Sequence, residues 1–195
     1  MPLHTNSPFG SRKVLCRARV AQHLDVQPIP GMHPEIGLLA AALQAGTREW
    51  REELGEARRD VVAFQAVTGG HSLGAIILHM ADVEAWWIET VGAGRSLSPE
   101  EETLLLSKET KQYQGKWPVP PREAIGYFFE IQDRIRRRTL ETLATFDDPA
   151  RAVSMKGGRS TFTLRWIVHH VIAHEAYHAG QAVLLKALHE QSKRL

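Results

Sequence analysis

The stretch LRWIVHHVIAHEAYHAGQAVLL, residues 164–185, decides how the rest of the chain is read. It continues without a breaker to about Leu188 and predicts one long final helix. Four of the chain's 10 histidines fall in it, as His169, His170, His174 and His178. A helix turns by about 100° per residue, so positions four apart lie one turn apart on the same side. His170, His174 and His178 therefore form a ladder that rotates slowly around the axis. Two of its imidazoles can converge on a single ion, and neutral imidazole nitrogen suits zinc and other borderline divalent metals. A site with three protein ligands keeps a position open for water or substrate, and the third ligand has to come from another helix.

The segment SLGAIILHMADVEAWWI, residues 72–88, supplies the candidate. Ser72 is an N-cap type after the Gly69–Gly70 break, and the apolar run from Leu73 to about Thr90 predicts a helix that stops at Gly92 and Gly94. Its hydrophobicity on most sides predicts substantial burial. His79 shares a face with Ala75, Leu78, Asp82, Val83 and Trp86. Alone, it reads as an ordinary core histidine bonded to a carbonyl. Beside a histidine ladder on another helix, it reads as the third ligand.

Two further long helices complete the pattern. Ile36, Leu39, Leu43, Thr47, Trp50 and Leu54 recur at spacings of three and four behind Pro34 and before Gly55. Ile125, Phe128, Gln132, Ile135, Thr139, Thr142 and Phe146 do the same after a proline-rich connection. That connection, residues 95–121, is polar and holds a short helix announced by the Ser98/Glu101 capping box. Residues 152–163 read as a loop or a small hairpin. Four long helices with apolar faces and no repeated strand signal predict an all-α protein, a four-helix bundle with a short extra helix between helices two and three. Arg134, Arg136, Arg137 and Arg138 read as a solvated face, and Trp86, Trp87 and Trp166 as core.

Residues 1–31 contain Pro2, Pro8, Gly10, Pro28, Pro30 and Gly31 without a sustained period, and read as a disordered or loosely attached leader before a single domain at 32–195. The leader lacks an apolar signal core; its arginines suit a transit peptide, and a start at Met32 accounts for the same features. We expect a cytoplasmic protein, with no run long enough to span a bilayer. The net charge is +2. Arg12, Lys13, Arg17 and Arg19 against Asp25 put +3 of this in the leader, leaving −1 on the body, which lacks the basic stripe that nucleic-acid binding needs. Cys16 is the only cysteine, so neither an internal disulfide nor a thiolate metal cluster can form.

Residues 72–88 resemble the second-helix signature of DinB/YfiT-like proteins, and residues 164–185 resemble their last-helix HxxxHxGQ signature. The resemblance spans roughly residues 33–190 and implies a four-helix bundle in which His79, His174 and His178 hold one divalent metal: nickel or zinc first, with iron or manganese also compatible. It further implies a homodimer and a thiol-dependent S-transferase or isomerase acting on a small molecule with a low-molecular-weight thiol; the alternative is a non-catalytic metal-containing ligand-binding or sensor protein. The protein then supplies no nucleophile of its own, and the catalytic residues stay open. His170, Gln181, Asp82 and Glu175 are candidates to orient the ligands from behind. The long connection at 95–121 departs from the family pattern and leaves the covering of the site open.

Two rivals use the same residues. His174, Glu175 and His178 spell HEAYH, the HExxH pattern of metallohydrolases, but the longer metzincin pattern fails at Gln181 and Leu184. Glu175 and His178 also make one Glu-x-x-His; a di-iron bundle needs two, and no other histidine has a glutamate three residues before it.

Overall fold

The computed structural model describes residues 25–155 and 157–194. Six helices and one two-stranded hairpin make up its regular structure: α1 (Pro34–Leu54), α2 (Arg59–Val62), α3 (Leu73–Ala85), α4 (Pro99–Leu104), α5 (Ile125–Leu143), β1 (Ala152–Ser154), β2 (Thr161–Thr163) and α6 (Leu164–Ser192). The all-helical character expected from the periodicity is present. The long helices pack α1 on α6, α3 on α5 and α3 on α6, with a smaller α1–α5 contact.

Local chemistry explains the helix ends. Pro34 occupies the first turn of α1, where its missing N–H costs nothing, and the His33 ring accepts from the Glu35 N–H at 3.2 Å. Ser72 caps α3 through the Ala75 N–H, and Thr163 caps α6 through the Trp166 N–H at 3.2 Å. The Ser98/Glu101 capping box forms as expected, with both reciprocal bonds made. The stretch 152–163 resolves to the hairpin: Ala152 pairs with Thr163 and Val153 with Phe162, feeding the chain straight into α6.

The helix expected from Leu73 to about Thr90 continues beyond α3 as far as Gly92, and from Trp86 to Gly92 it widens into a π-helical segment. Such widening shifts every following side chain around the axis and recurs at functional sites.

Two apolar clusters make the core. One gathers Ile76, Ile77, Phe128, Ile135 and Leu185; the other gathers Ile36, Leu43, Ile88, Phe146 and Val168. Gly74 allows the close approach of α3 and α5, since a Cβ there would lie 2.9 Å from the Phe128 ring. Of the expected leader, residues 25–31 are described, whereas residues 1–24 and Cys16 among them lie outside the described residues. Ile29 packs on the second cluster and donates its N–H to the Gly37 carbonyl at 3.2 Å. Gly37 is required for that passage, because a Cβ there would sit 3.0 Å from the Ile29 backbone.

The run of arginines on α5 is not uniformly solvated. Arg136 is buried, and its guanidinium grips Glu84 of α3 with Nε at 2.6 Å and Nη2 at 2.9 Å. Nη2 also reaches Glu175 of α6 at 2.7 Å, and Nη1 donates to the Thr47 hydroxyl of α1 at 2.9 Å. The Trp50 indole N–H adds a bond to Glu175 at 2.9 Å. A fork of five donors can satisfy several acceptors at once, which is why the one buried member of the run is an arginine in contact with all three other long helices.

Candidate metal centre

His79 projects from the middle of α3, and His174 and His178 from the middle of α6. One ring nitrogen of each lies within 4.8 Å of those of the other two. Ring centroids are separated by 4.9 Å for His79–His174, 5.0 Å for His79–His178 and 4.4 Å for His174–His178. The last distance is the i, i+4 spacing of α6 expressed in space.

Electrostatics favours the neutral, ligating form. Burial pushes His79 down to about 4, with the neighbouring His178 adding to the effect. Burial pushes His174 down to about 3, helped by His178, His79 and His170. Burial likewise lowers His178, while its bond to Gln181 opposes the shift. Three imidazoles packed together repel one another when protonated, and each keeps a lone pair when neutral.

The hydrogen-bond inventory points the same way. Among the described residues no well-formed hydrogen bond reaches either buried ring nitrogen of His79 or Nε2 of His178, although the Gln112 side chain stands near enough to His79 to oppose the fall in its pKa. Buried polar atoms are ordinarily paired, so orphaned nitrogens aimed at one another call for an electrophile between them. The donor set fits a divalent metal ion of the zinc or nickel kind. His178 is also oriented from behind: Nδ1 lies 2.8 Å from Gln181 Oε1, a carbonyl oxygen that can only accept. The proton therefore sits on Nδ1 and leaves Nε2 free to ligate.

The other residues singled out from the sequence fall in different places. Asp82 lines the same cleft, accepts a hydrogen bond from Ser107 and is pushed up to about 6 by burial. His170 stacks on Trp166 at 4.9 Å and stands 6.2 Å from the His174 ring. Glu175 does not join the cluster, because its carboxylate is turned away to Arg136, Thr47 and Trp50.

The cleft over the histidines has a volume of about 640 Å³. The tryptophans expected in the core belong to this region: Trp86 and Trp87 line the cleft, and Trp86 and Trp166 are among the exposed aromatics. Trp86 lies in the π-helical segment and Trp166 in the first turn of α6, each on the outer side of a turn whose other side buries Ile88 or Ile167. The long polar connection also lines the cleft, with Thr110, Lys111, Gln112, Tyr113 and Gln114. It also inserts Trp117, whose ring meets His79 edge-on at 5.3 Å, touches His71 at 5.1 Å and lies 6.1 Å from His178. Trp117 was not foreseen; the available signal was a lone indole in an otherwise polar, proline-rich excursion.

An all-helical chain whose second and last long helices bring three histidines together at the expected positions is a DinB/YfiT-like protein. More narrowly, the chain belongs to the mycothiol-S-transferase family, whose model matches residues 38–191 and so includes both histidine-bearing helices. No curated protein matches the chain. Among the described residues no helix is long and apolar enough to cross a membrane.

Proposed function

We propose that the chain is a four-helix-bundle S-transferase that uses one divalent ion, held by His79, His174 and His178, to join a low-molecular-weight thiol such as mycothiol to an electrophilic small molecule. The observation that carries this reading is the set of orphaned imidazole nitrogens on the floor of an open cleft, in a chain of this family. An ion bound there supplies a Lewis acid that lowers a thiol's pKa into the neutral range.

The chain's own residues do the rest. Gln181 fixes the tautomer of His178, Trp117 packs against His79 and shields the histidines from water on that side, and the cleft leaves room for two small reactants. Residues of the 110–114 segment offer amide and ammonium groups to a polar thiol. Glu175 faces Arg136 and presents no base to the histidines, which speaks against a metallohydrolase using HEAYH.

The test is metal analysis followed by turnover. His79→Ala, His174→Ala and His178→Ala should each lose most bound metal, whereas Glu175→Gln should retain it. The metal-loaded wild type should conjugate a small thiol to an electrophile at a rate that a chelator abolishes. Metal binding without any such rate, across a panel of thiols, would favour the sensor reading.

A further inference from the structure

Besides the 110–114 segment, the cleft is lined by Trp86, Trp87 and His170. They belong to a run of aromatic rings that leads away from the metal-ligand candidates. His170 lies beside His174 and stacks on Trp166 at an interplanar angle of 8°. Trp166 lies against Phe162 at 4.7 Å, and Trp87 meets Phe162, Trp166 and His170 at 5.1, 5.3 and 4.8 Å. Trp86 closes the run with its ring 4.8 Å from Trp87. Two of these indoles are left wet: Trp86 is 37% exposed and Trp166 38%.

Large aromatic side chains held in contact and left open to water beside a reactive centre await a flat apolar partner. Their exposed faces gain from burial, and ring stacking adds about 0.5–1.5 kcal/mol beyond area. Polar groups that would bind a hydrophilic thiol also line the cleft, in Thr110, Lys111, Gln112 and Gln114. Because the aromatic run starts at His170, next to His174, a ring seated on it lies within reach of a sulfur positioned at the histidines.

We infer that the wall formed by Trp86, Trp87 and His170 is the subsite for the electrophilic substrate, and that this substrate is an aryl compound. The inference rests on the S-transferase reading for its chemistry and on the aromatic wall for its selectivity. With an aryl halide, the thiol loses its proton to solvent, its sulfur pair forms a C–S bond at the ring carbon, and the carbon–halogen bond breaks with halide leaving as the anion. No oxidant or reductant is required.

Two measurements on the metal-loaded protein separate this inference from the reading beneath it. The first is binding without chemistry: an unreactive nitroaromatic is titrated while tryptophan fluorescence is followed. Saturable quenching is expected, with affinity weakened about threefold to tenfold in Trp86→Ala, the range one ring contact confers. Absence of saturable quenching, or equal affinity in both Trp86→Ala and Trp87→Leu with metal content and melting preserved, overturns the subsite. The second measurement is the ratio of kcat/KM for a chlorodinitrobenzene to that for iodoacetamide with the same thiol, each corrected for its uncatalysed rate. The ratio should favour the aryl compound in the wild type and fall about threefold to tenfold in Trp86→Ala. A ratio unchanged by both substitutions overturns the inference. Saturable binding that Trp86→Ala weakens, with no metal-dependent rate for either electrophile, upholds the aromatic subsite and overturns the transferase reading instead.

Discussion

His178 of the candidate metal centre is oriented by a second residue. Its Nδ1 is occupied by Gln181, which lies three residues further along α6 and so on the same face. The bond does two things: it holds the ring plane, and it places the proton away from the free Nε2. Removing such a partner ordinarily weakens metal binding by about 10-fold to 100-fold. Gln181→Ala should therefore bind metal more weakly by about that factor while melting normally in its metal-free form; Gln181→Glu should restore affinity. Competition with a chromogenic chelator measures this, and an affinity equal to the wild type in Gln181→Ala would show the bond to be incidental. The pairing of His178 with Gln181 was within reach of the sequence, because three-residue spacing fixes adjacency on a helix. The inward turn of Glu175 was not. Its neighbours His174 and His178 suggested the metal, and only the positions of α1 and α5 reveal that its partners are Trp50, Thr47 and Arg136.

At the scale of the elements, α1 and α5 were legible from a three-four apolar period, α3 from an apolar run behind the Ser72 cap, and α6 from a long stretch without a breaker. What escaped was the polar layer joining them. Arg136 stands among Arg134, Arg137 and Arg138 in sequence, and a helix period alone cannot say which member faces inward until the neighbours' carboxylates are located. Glu84 carried a usable signal: a carboxylate on a helix read as buried on most sides needs a cation close by. Burial opposes the Arg136 charge, but Glu84 and then Glu175 more than offset it and raise its pKa, so the group stays protonated throughout the accessible range. Replacing it by methionine strands two carboxylates in a dry interior. Breaking a buried pair in this way costs about 3–5 kcal/mol. Arg136→Met should lose stability of that order in urea unfolding, whereas Arg137→Met, on the exposed side, should stay within about 0.5 kcal/mol. Equal small losses in both would mean that the layer contributes little net stability. The π-helical turn at Trp86–Gly92 was also illegible, because its composition suits an ordinary helix and the widening shows only in the backbone bonding.

For the molecule as a whole, the candidate metal centre makes the fold's stability depend on pH, and the sign can be worked out. In the unfolded chain a histidine titrates near 6.5. In the folded chain burial holds His79 near 4 and His174 near 3, and lowers His178 as well. Between pH 6.5 and about 4 the unfolded state therefore binds more protons than the folded one, so acidification favours unfolding. Asp82 acts in the opposite sense: its folded value near 6 lies above its ordinary value of 3.8, so it adds stability below 3.8 that is lost as pH rises through 6. Three depressed imidazoles against one elevated carboxyl give a net loss on acidification. Metal-free protein should show a melting midpoint that falls steadily from pH 7 to pH 4, and Asp82→Asn should steepen the fall by removing the opposing group. Bound metal should raise the midpoint at pH 7, and much of that increment should persist down to about pH 4, because protons compete for the folded-state nitrogens of His79 and His174 only near and below their lowered values. Calorimetric melts of the chelator-treated and metal-loaded forms across this range decide the matter: a flat metal-free profile, or a metal increment already lost at about pH 5 to 6, would mean that the histidines are not held neutral by burial, and no increment at pH 7 would mean that they do not form the ligand set.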